Sequence, residues 1–235
     1  MAALYLHSPF CAKVCPYCDF AVLVAPERVR KEWRKSVVVE AQERKSQEPW
    51  SGAPFETFYF GGGTPSLLEE GELRELIASL SSEMEIDLHR MREATIEANP
   101  ESVSEAKVSL WKELGFSRIS LGVQSLHDQV LKSIGRNHDR ETALRSLSIL
   151  NKSGVRLSVD LMFALPHQTT SIFLEELREV LDLGLQHISF YGLGIEPQTL
   201  FGQKAEKGLL AVDEEIYRES YLRGVELCAE YGLMR

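Results

Sequence analysis

Six short apolar runs punctuate the chain, and between them apolar positions recur at helical spacing. The runs are Leu4-Tyr5-Leu6, Thr57-Phe58-Tyr59-Phe60, Ala94-Thr95-Ile96-Glu97, Arg118 to Val123, Leu157 to Phe163 and His187 to Tyr191. They are brief and mostly rich in β-branched and aromatic residues, the pattern of strands buried on both faces. Helical periodicity covers Glu27 to Gln47, Leu68 to Ser82, Ser104 to Leu114, Arg140 to Ser153, Ser171 to Leu183 and Asp213 to Tyr231. Gly115, Gly154 and Gly184 each stand between a helical run and the next strand. A left-handed residue commonly closes a helix at that place, and glycine adopts it without strain.

Strict strand–helix alternation predicts an α/β fold with a parallel sheet. Six units are too few for a closed eight-strand barrel. The expectation is a partial (β/α)6 barrel of the TIM type, with a doubly wound sheet as second choice. Residues 1–200 would form the core, and 201–235 a terminal helical segment. The loop Glu48 to Pro54 reads as a surface connection, not a domain linker. The helix Glu27 to Gln47 mixes both charge signs and reads as a solvated outer helix. No repeat beyond the alternation and no low-complexity segment occurs.

The 235 residues carry 26 Lys and Arg against 35 Asp and Glu, a net charge of −9. That acidic balance argues against nucleic acid as a partner. No apolar stretch approaches the ~18 residues of a membrane span. The start has no basic segment ahead of its apolar residues and no cleavage-site pattern after them. A reducing, cytoplasmic setting is therefore expected. In it, clustered thiols serve as metal ligands or redox groups more readily than as disulfides.

Function in such sheets gathers at the carboxyl ends of the strands. Those ends read His7-Ser8-Pro9-Phe10-Cys11, Gly61-Gly62-Gly63-Thr64-Pro65, Glu97-Ala98-Asn99-Pro100, Gln124-Ser125, Leu165-Pro166-His167-Gln168-Thr169 and Gly192-Leu193-Gly194-Ile195-Glu196-Pro197, with Asp160 inside strand five. Of four cysteines, Cys11, Cys15 and Cys18 fall within eight residues. Three thiolates on one loop suit an iron–sulfur cluster with one iron left open. A zinc site, which closes its tetrahedron with a fourth ligand, and a redox cluster are the alternatives. Cys228, in a helical run, reads as a small buried hydrophobe. The glycines after strand two either turn the chain tightly or let backbone approach a ligand. No Gly-Lys-Ser/Thr follows them, so a phosphate loop is disfavoured. Glu97, acidic on an apolar strand, needs a partner: a ligand, or a neighbouring arginine.

Cys-x-x-x-Cys-x-x-Cys with Tyr17 before the third cysteine resembles the radical S-adenosylmethionine superfamily. The string LYLHSPFCAKVCPYCDF over residues 4–20 resembles the branch of oxygen-independent coproporphyrinogen III dehydrogenase and, more closely, its haem-chaperone relatives. FGGGTPSLL, TIEANPESV, RISLGVQSL, SIGRNHD, SVDLMFALPHQT and ISFYGLGIEPQTLF continue the likeness in order. The resemblance implies that Cys11, Cys15 and Cys18 bind a [4Fe–4S] cluster whose open iron takes S-adenosylmethionine. One-electron reduction then yields a 5′-deoxyadenosyl radical. It implies that Tyr5 and Tyr17 flank the adenosine and cluster, that Gly62, Gly63 and Thr64 face the methionine moiety, and that Glu97 accepts the ribose hydroxyls. Gln124, Arg136, Asp160 and Gly194 would face a second S-adenosylmethionine, an Arg136–Asp160 salt bridge being the alternative. An electron donor, haem or a porphyrinogen, and an unknown haem acceptor are the implied partners. His7, His138 and His167 are candidate haem or substrate contacts.

Phe20 stands where the dehydrogenase branch has a further cysteine, which favours the haem-chaperone pattern over porphyrinogen oxidation. The His-Asn-x-x-Tyr-Trp string associated with haem in that branch does not occur here. The chain is accordingly expected to stop short of the family's C-terminal part.

Overall fold

The computed structural model describes residues 2–48, 50–52 and 54–234. Pro49 and Ala53 of the expected surface connection lie outside the described residues. The strands are β1 (Ala2–Ser8), β2 (Phe55–Gly62), β3 (Glu93–Ala98), β4 (Arg118–Gln124), β5 (Arg156–Phe163) and β6 (His187–Gly192). The helices are α1 (Glu27–Arg44), α2 (Glu70–Met84), α3 (Glu105–Glu113), α4 (Asp128–Ser133), α5 (Arg140–Lys152), α6 (Thr170–Leu181), α7 (Leu200–Glu206) and α8 (Glu214–Glu230). The sheet order follows the chain, β1-β2-β3-β4-β5-β6. A doubly wound sheet reverses its order at a switch point. Sequential order is that of the expected partial (β/α)6 barrel.

Two compact units make up the chain. The first comprises Met1–Lys13, Ala21–Ala98 and Ser102–Ile119. In it β1 pairs parallel with β2 from Ala2↔Phe55 to Ser8↔Gly62, and β2 pairs parallel with β3 from Thr57↔Glu93 to Phe60↔Ile96. Its core is Phe58, Phe60, Leu73, Leu76, Ala94, Ile96, Val108 and Trp111, all buried. Burying a large apolar side chain contributes ~1.5–3 kcal/mol each, which fixes the layers of strand and helix. A capping box starts α2: Glu69 and Glu72 each accept the other's backbone N–H, satisfying donors the helix cannot.

The second unit comprises Val14–Phe20, Asn99–Glu101 and Ser120–Arg235. Here β5 and β6 pair parallel from Ser158↔His187 to Phe163↔Gly192. Leu147, Val159, Leu161, Phe163, Phe173, Leu177 and Val180 are buried between strand and helix. Side-chain caps start four of its described helices: Asp139 for α5, Thr169 for α6, Thr199 for α7 and Asp213 for α8. Each accepts first-turn N–H groups that would otherwise lack a partner.

Gly115, Gly154 and Gly184 have φ of +95°, +72° and +74°, as their place after helices predicts. Cys228 is buried in α8, also as expected. The solvated reading of α1 needs correction at two positions, since Arg34 and Ala41 are buried. Arg34 Nη1 donates to Glu72 Oε1 at 2.5 Å. Among the described residues, no helix is long and apolar enough to cross a membrane.

Candidate cofactor site

In the first unit the triple-glycine loop locks onto the start of the cysteine loop. Gly63 N–H donates to Ser8 O and Thr64 N–H to Phe10 O, both at 2.7 Å. Thr64 Oγ1 lies 3.6 Å from Cys11 Sγ as a donor. Cys11 N–H donates to Leu23 O at 3.0 Å and Leu23 N–H to Pro9 O at 2.7 Å. The position of Cys11 is thus set by backbone on both sides.

Glycine is required there by contact. A Cβ at Gly63 would stand 2.6 Å from Phe10 O and 3.0 Å from Cys11 Sγ. One at Gly62, whose φ is +111°, would meet the His7 ring at 2.5 Å. One at Gly61 would meet Tyr59 at 2.6 Å and Glu97 at 2.9 Å. The tight turn is present at Gly62, and the close approach at Gly61 and Gly63 is to the chain's own atoms.

Glu97 is held at the end of β3 by donors from β2. Tyr59 Oη donates to Oε1 at 2.6 Å and Gly62 N–H to Oε2 at 3.0 Å. The register explains it: Tyr59 pairs with Thr95, so Glu97 lies two residues further on, level with the glycines. Tyr5 stacks on Tyr59 with ring centroids 5.9 Å apart and is itself exposed. Burial raises its phenol, and the Glu97 charge adds to the shift. His7 contacts Tyr5 Oη at 3.2 Å and Ala21 O at 3.1 Å.

In the second unit Cys15 and Cys18 belong to one turn, with Cys18 N–H donating to Cys15 O at 3.1 Å. Phe201 N–H, in the first turn of α7, donates to Pro16 O at 2.9 Å. Tyr17 packs on the cluster of Val130, Ile134, Met162, Leu165, Leu193 and Phe201. Burial pushes the Tyr17 phenol well up; Arg136 opposes that and the neighbouring Cys15 reinforces it. Burial also raises the Cys18 thiol.

Arg136 Nη2 donates to Asn99 Oδ1 and to Gly122 O, both at 2.7 Å, and Nη1 lies 3.9 Å from Cys15 Sγ. Gly122 makes room for this. A Cβ on it would meet Gln124 Nε2 at 3.0 Å, Asn99 Oδ1 at 3.2 Å and Arg136 Nη2 at 3.6 Å. Gln124 itself takes a left-handed φ of +68°. Asp160 accepts from Ser120 Oγ at 3.2 Å. A side chain on Gly194 would meet only Glu196 Oε1, at 3.7 Å, so packing does not demand glycine there. His138 is fully enclosed: Nε2 contacts Val123 O at 3.1 Å and Nδ1 stands 3.4 Å from Glu101 Oε2. His167 is exposed, with φ of +66°.

Tyr59, Asn99 and Gly122 were not singled out as site residues from the sequence. A tyrosine inside an apolar run reads as core, and a glycine inside a strand reads only as a weak point. All four cysteines are free of disulfides. Among the described residues, no three His, Cys, Asp or Glu side chains gather closely enough to hold one metal ion.

The family model described as the radical SAM superfamily matches residues 5–184. The chain is 34% identical over 212 residues to the heme chaperone HemW of Lactococcus lactis subsp. lactis, covering 90% of this chain and 54% of that protein. It is 35% identical over 234 residues to the mitochondrial radical S-adenosyl methionine domain-containing protein 1 of Bos taurus, covering 98% of this chain and 52% of that one. Among solved structures, coproporphyrinogen III oxidase (HemN) from Escherichia coli superposes with a TM-score of 0.81 at 22% identity, over 98% of this chain and 52% of its own. The chain spans about half the length of the curated relatives it matches. A family model covering most of the sequence, set on a sequentially ordered parallel sheet, shows that this chain belongs to the radical SAM superfamily, membership of which implies a [4Fe–4S] cluster and S-adenosylmethionine.

Proposed function

We propose that Cys11, Cys15 and Cys18 ligate the cluster and that the protein acts in haem trafficking as a haem chaperone. The residues present fit the implied groups. Three thiols within eight residues are free of disulfides, and Glu97 is held by Tyr59 and Gly62. That fixed carboxylate is the observation that carries the nucleotide reading. Held at the end of β3, level with the glycine loop, it suits a carboxylate that accepts the hydroxyls of a ribose. Tyr5 and Tyr17 would flank the adenosine and cluster, and Gly62, Gly63 and Thr64 the methionine moiety. When bound, the cluster supplies reductive cleavage of the sulfonium. This chain's residues bind, orient and shield it. Gln124, Arg136, Asp160 and Gly194 belong to a second ligand position on this reading.

The haem-chaperone assignment rests on the HemW relatives and on Phe20, which stands where the dehydrogenase branch has a further cysteine. Coproporphyrinogen III oxidation is the second reading, favoured by the structural likeness to HemN. A cytoplasmic setting, an electron donor and a haem acceptor belong to the proposal. Of the histidines weighed as haem contacts, His138 already faces a carbonyl and a carboxylate, whereas His167 is exposed.

Anaerobic reconstitution tests the core of it. The expected result is about four irons and four sulfides per chain, lost in Cys15→Ala. Zinc uptake without iron would overturn the reading. Stable haem binding without change to coproporphyrinogen III supports the chaperone; protoporphyrinogen formation in the presence of S-adenosylmethionine supports the oxidase.

A further inference from the structure

The three cysteines of the loop are not equivalent in their surroundings. Cys11 receives the Thr64 hydroxyl at 3.6 Å. Cys15 receives a cation: Arg136 Nη1 lies 3.9 Å from its sulfur. The Tyr17 phenol lies beside the same sulfur. The arginine is locked in place, with Nη2 clamped between Asn99 Oδ1 and Gly122 O at 2.7 Å each. Its Nε is shielded from solvent and has no hydrogen-bond partner among the described residues. The held cation faces the Cys15 sulfur.

We infer that Arg136, supported by Tyr17, is a tuning residue that sets the reduction potential of the cluster through the Cys15 thiolate. The inference rests on the proposal that Cys15 is a cluster ligand. Reduction adds one electron from a one-electron donor, here dithionite in the test; no bond forms or breaks, and the cluster becomes one unit more negative. A fixed positive charge and an O–H donor beside one sulfur stabilise the reduced form more than the oxidised one. The potential is therefore higher than it would be without them. The part-buried position limits screening by salt, so the effect persists at high ionic strength. Asn99 and Gly122 contribute indirectly, by fixing the guanidinium.

The test is a redox titration of the anaerobically reconstituted chain, followed by the paramagnetic signal of the reduced cluster. R136M is expected to titrate at a more negative midpoint than the wild type. R136K, which keeps the charge and loses the fork, falls between them. Y17F, lacking one donor, shifts the same way by less. Equal midpoints for wild type, R136M and Y17F would overturn the inference while leaving the cluster assignment standing. Failure of the wild type to assemble a cluster would instead overturn the proposed function. Should R136M not assemble one, the Y17F midpoint decides: a negative shift supports the inference and an unchanged value overturns it.

Discussion

Tyr59 donates its phenolic hydrogen to Glu97 Oε1 at 2.6 Å, joining β2 to the end of β3. With Gly62 N–H on the other oxygen at 3.0 Å, the carboxylate is fixed in rotation as well as in place. Y59F removes one donor and leaves the ring. A hydrogen bond to a charged group contributes ~1.5–3 kcal/mol, so S-adenosylmethionine binding should weaken about tenfold. E97Q should weaken it more. Isothermal calorimetry on reconstituted protein measures both, and iron content should not change. Equal affinity in Y59F and wild type would show that the tether does not serve the ligand.

Two glycine substitutions separate crowding from backbone conformation. G63A forces a Cβ to 2.6 Å from Phe10 O, so the cysteine loop must move. Overpacking of this kind costs ~1–3 kcal/mol, and iron incorporation should fall with it. Gly154 has φ +72° but nothing within 4 Å of the added atom. G154A should cost only about 1 kcal/mol, the price of a left-handed alanine, and iron incorporation should be normal. Thermal melts and iron assays on the two variants make the comparison.

Arg34 and Glu72 form a shielded pair between α1 and α2. Burial would raise the Glu72 carboxyl, but the Glu69 N–H, Arg30 and Arg34 outweigh it and hold the group below its ordinary value. A carboxyl depressed in the folded state contributes stability above its unfolded pKa, and that contribution is lost as pH falls through the folded value. E72Q should flatten this acid-side loss. Because it also leaves Arg34 with a neutral partner, it should cost ~3 kcal/mol at neutral pH. Chemical denaturation at several pH values reads both effects.

The strands were legible because each is a short apolar run closed by turn residues, as at Ile119 to Val123 before Gln124. The helices with strong periodicity were legible too, to within two or three residues. Helices α4 and α7 were not, since six and seven residues span fewer than two turns and show no period. At the site, Cys11, Cys15, Cys18 and Glu97 announce themselves by chemistry that an apolar context does not explain. Asn99 does not, because its role depends on Arg136 arriving from 37 residues further along the chain. Arg34 reads as a surface charge on a mixed helix, and only the packing of α1 on α2 reveals it as buried.

Glu176 gives a pH dependence of the opposite sign. It is buried in α6, where its Oε1 accepts from Ser125 Oγ at 2.5 Å and Leu126 N–H at 2.9 Å, and its Oε2 from Gln168 Nε2 at 3.0 Å. It thereby ties the segment after β4 to the segment after β5, on either side of which Gln124, Ala164 and His167 hold left-handed backbone. Burial raises its carboxyl despite the three donors. A carboxyl raised in the folded state contributes stability that is full below its unfolded pKa and is lost as pH rises through the folded value. Stability should therefore decline as pH climbs above the ordinary carboxylate range, where the Glu72 contribution is complete. E176Q cannot ionise and should abolish that decline. Its amide also sets one N–H group against Gln168 or Ser125, so it should cost ~1–3 kcal/mol at acidic pH. A decline of unchanged slope in E176Q would assign it to another group.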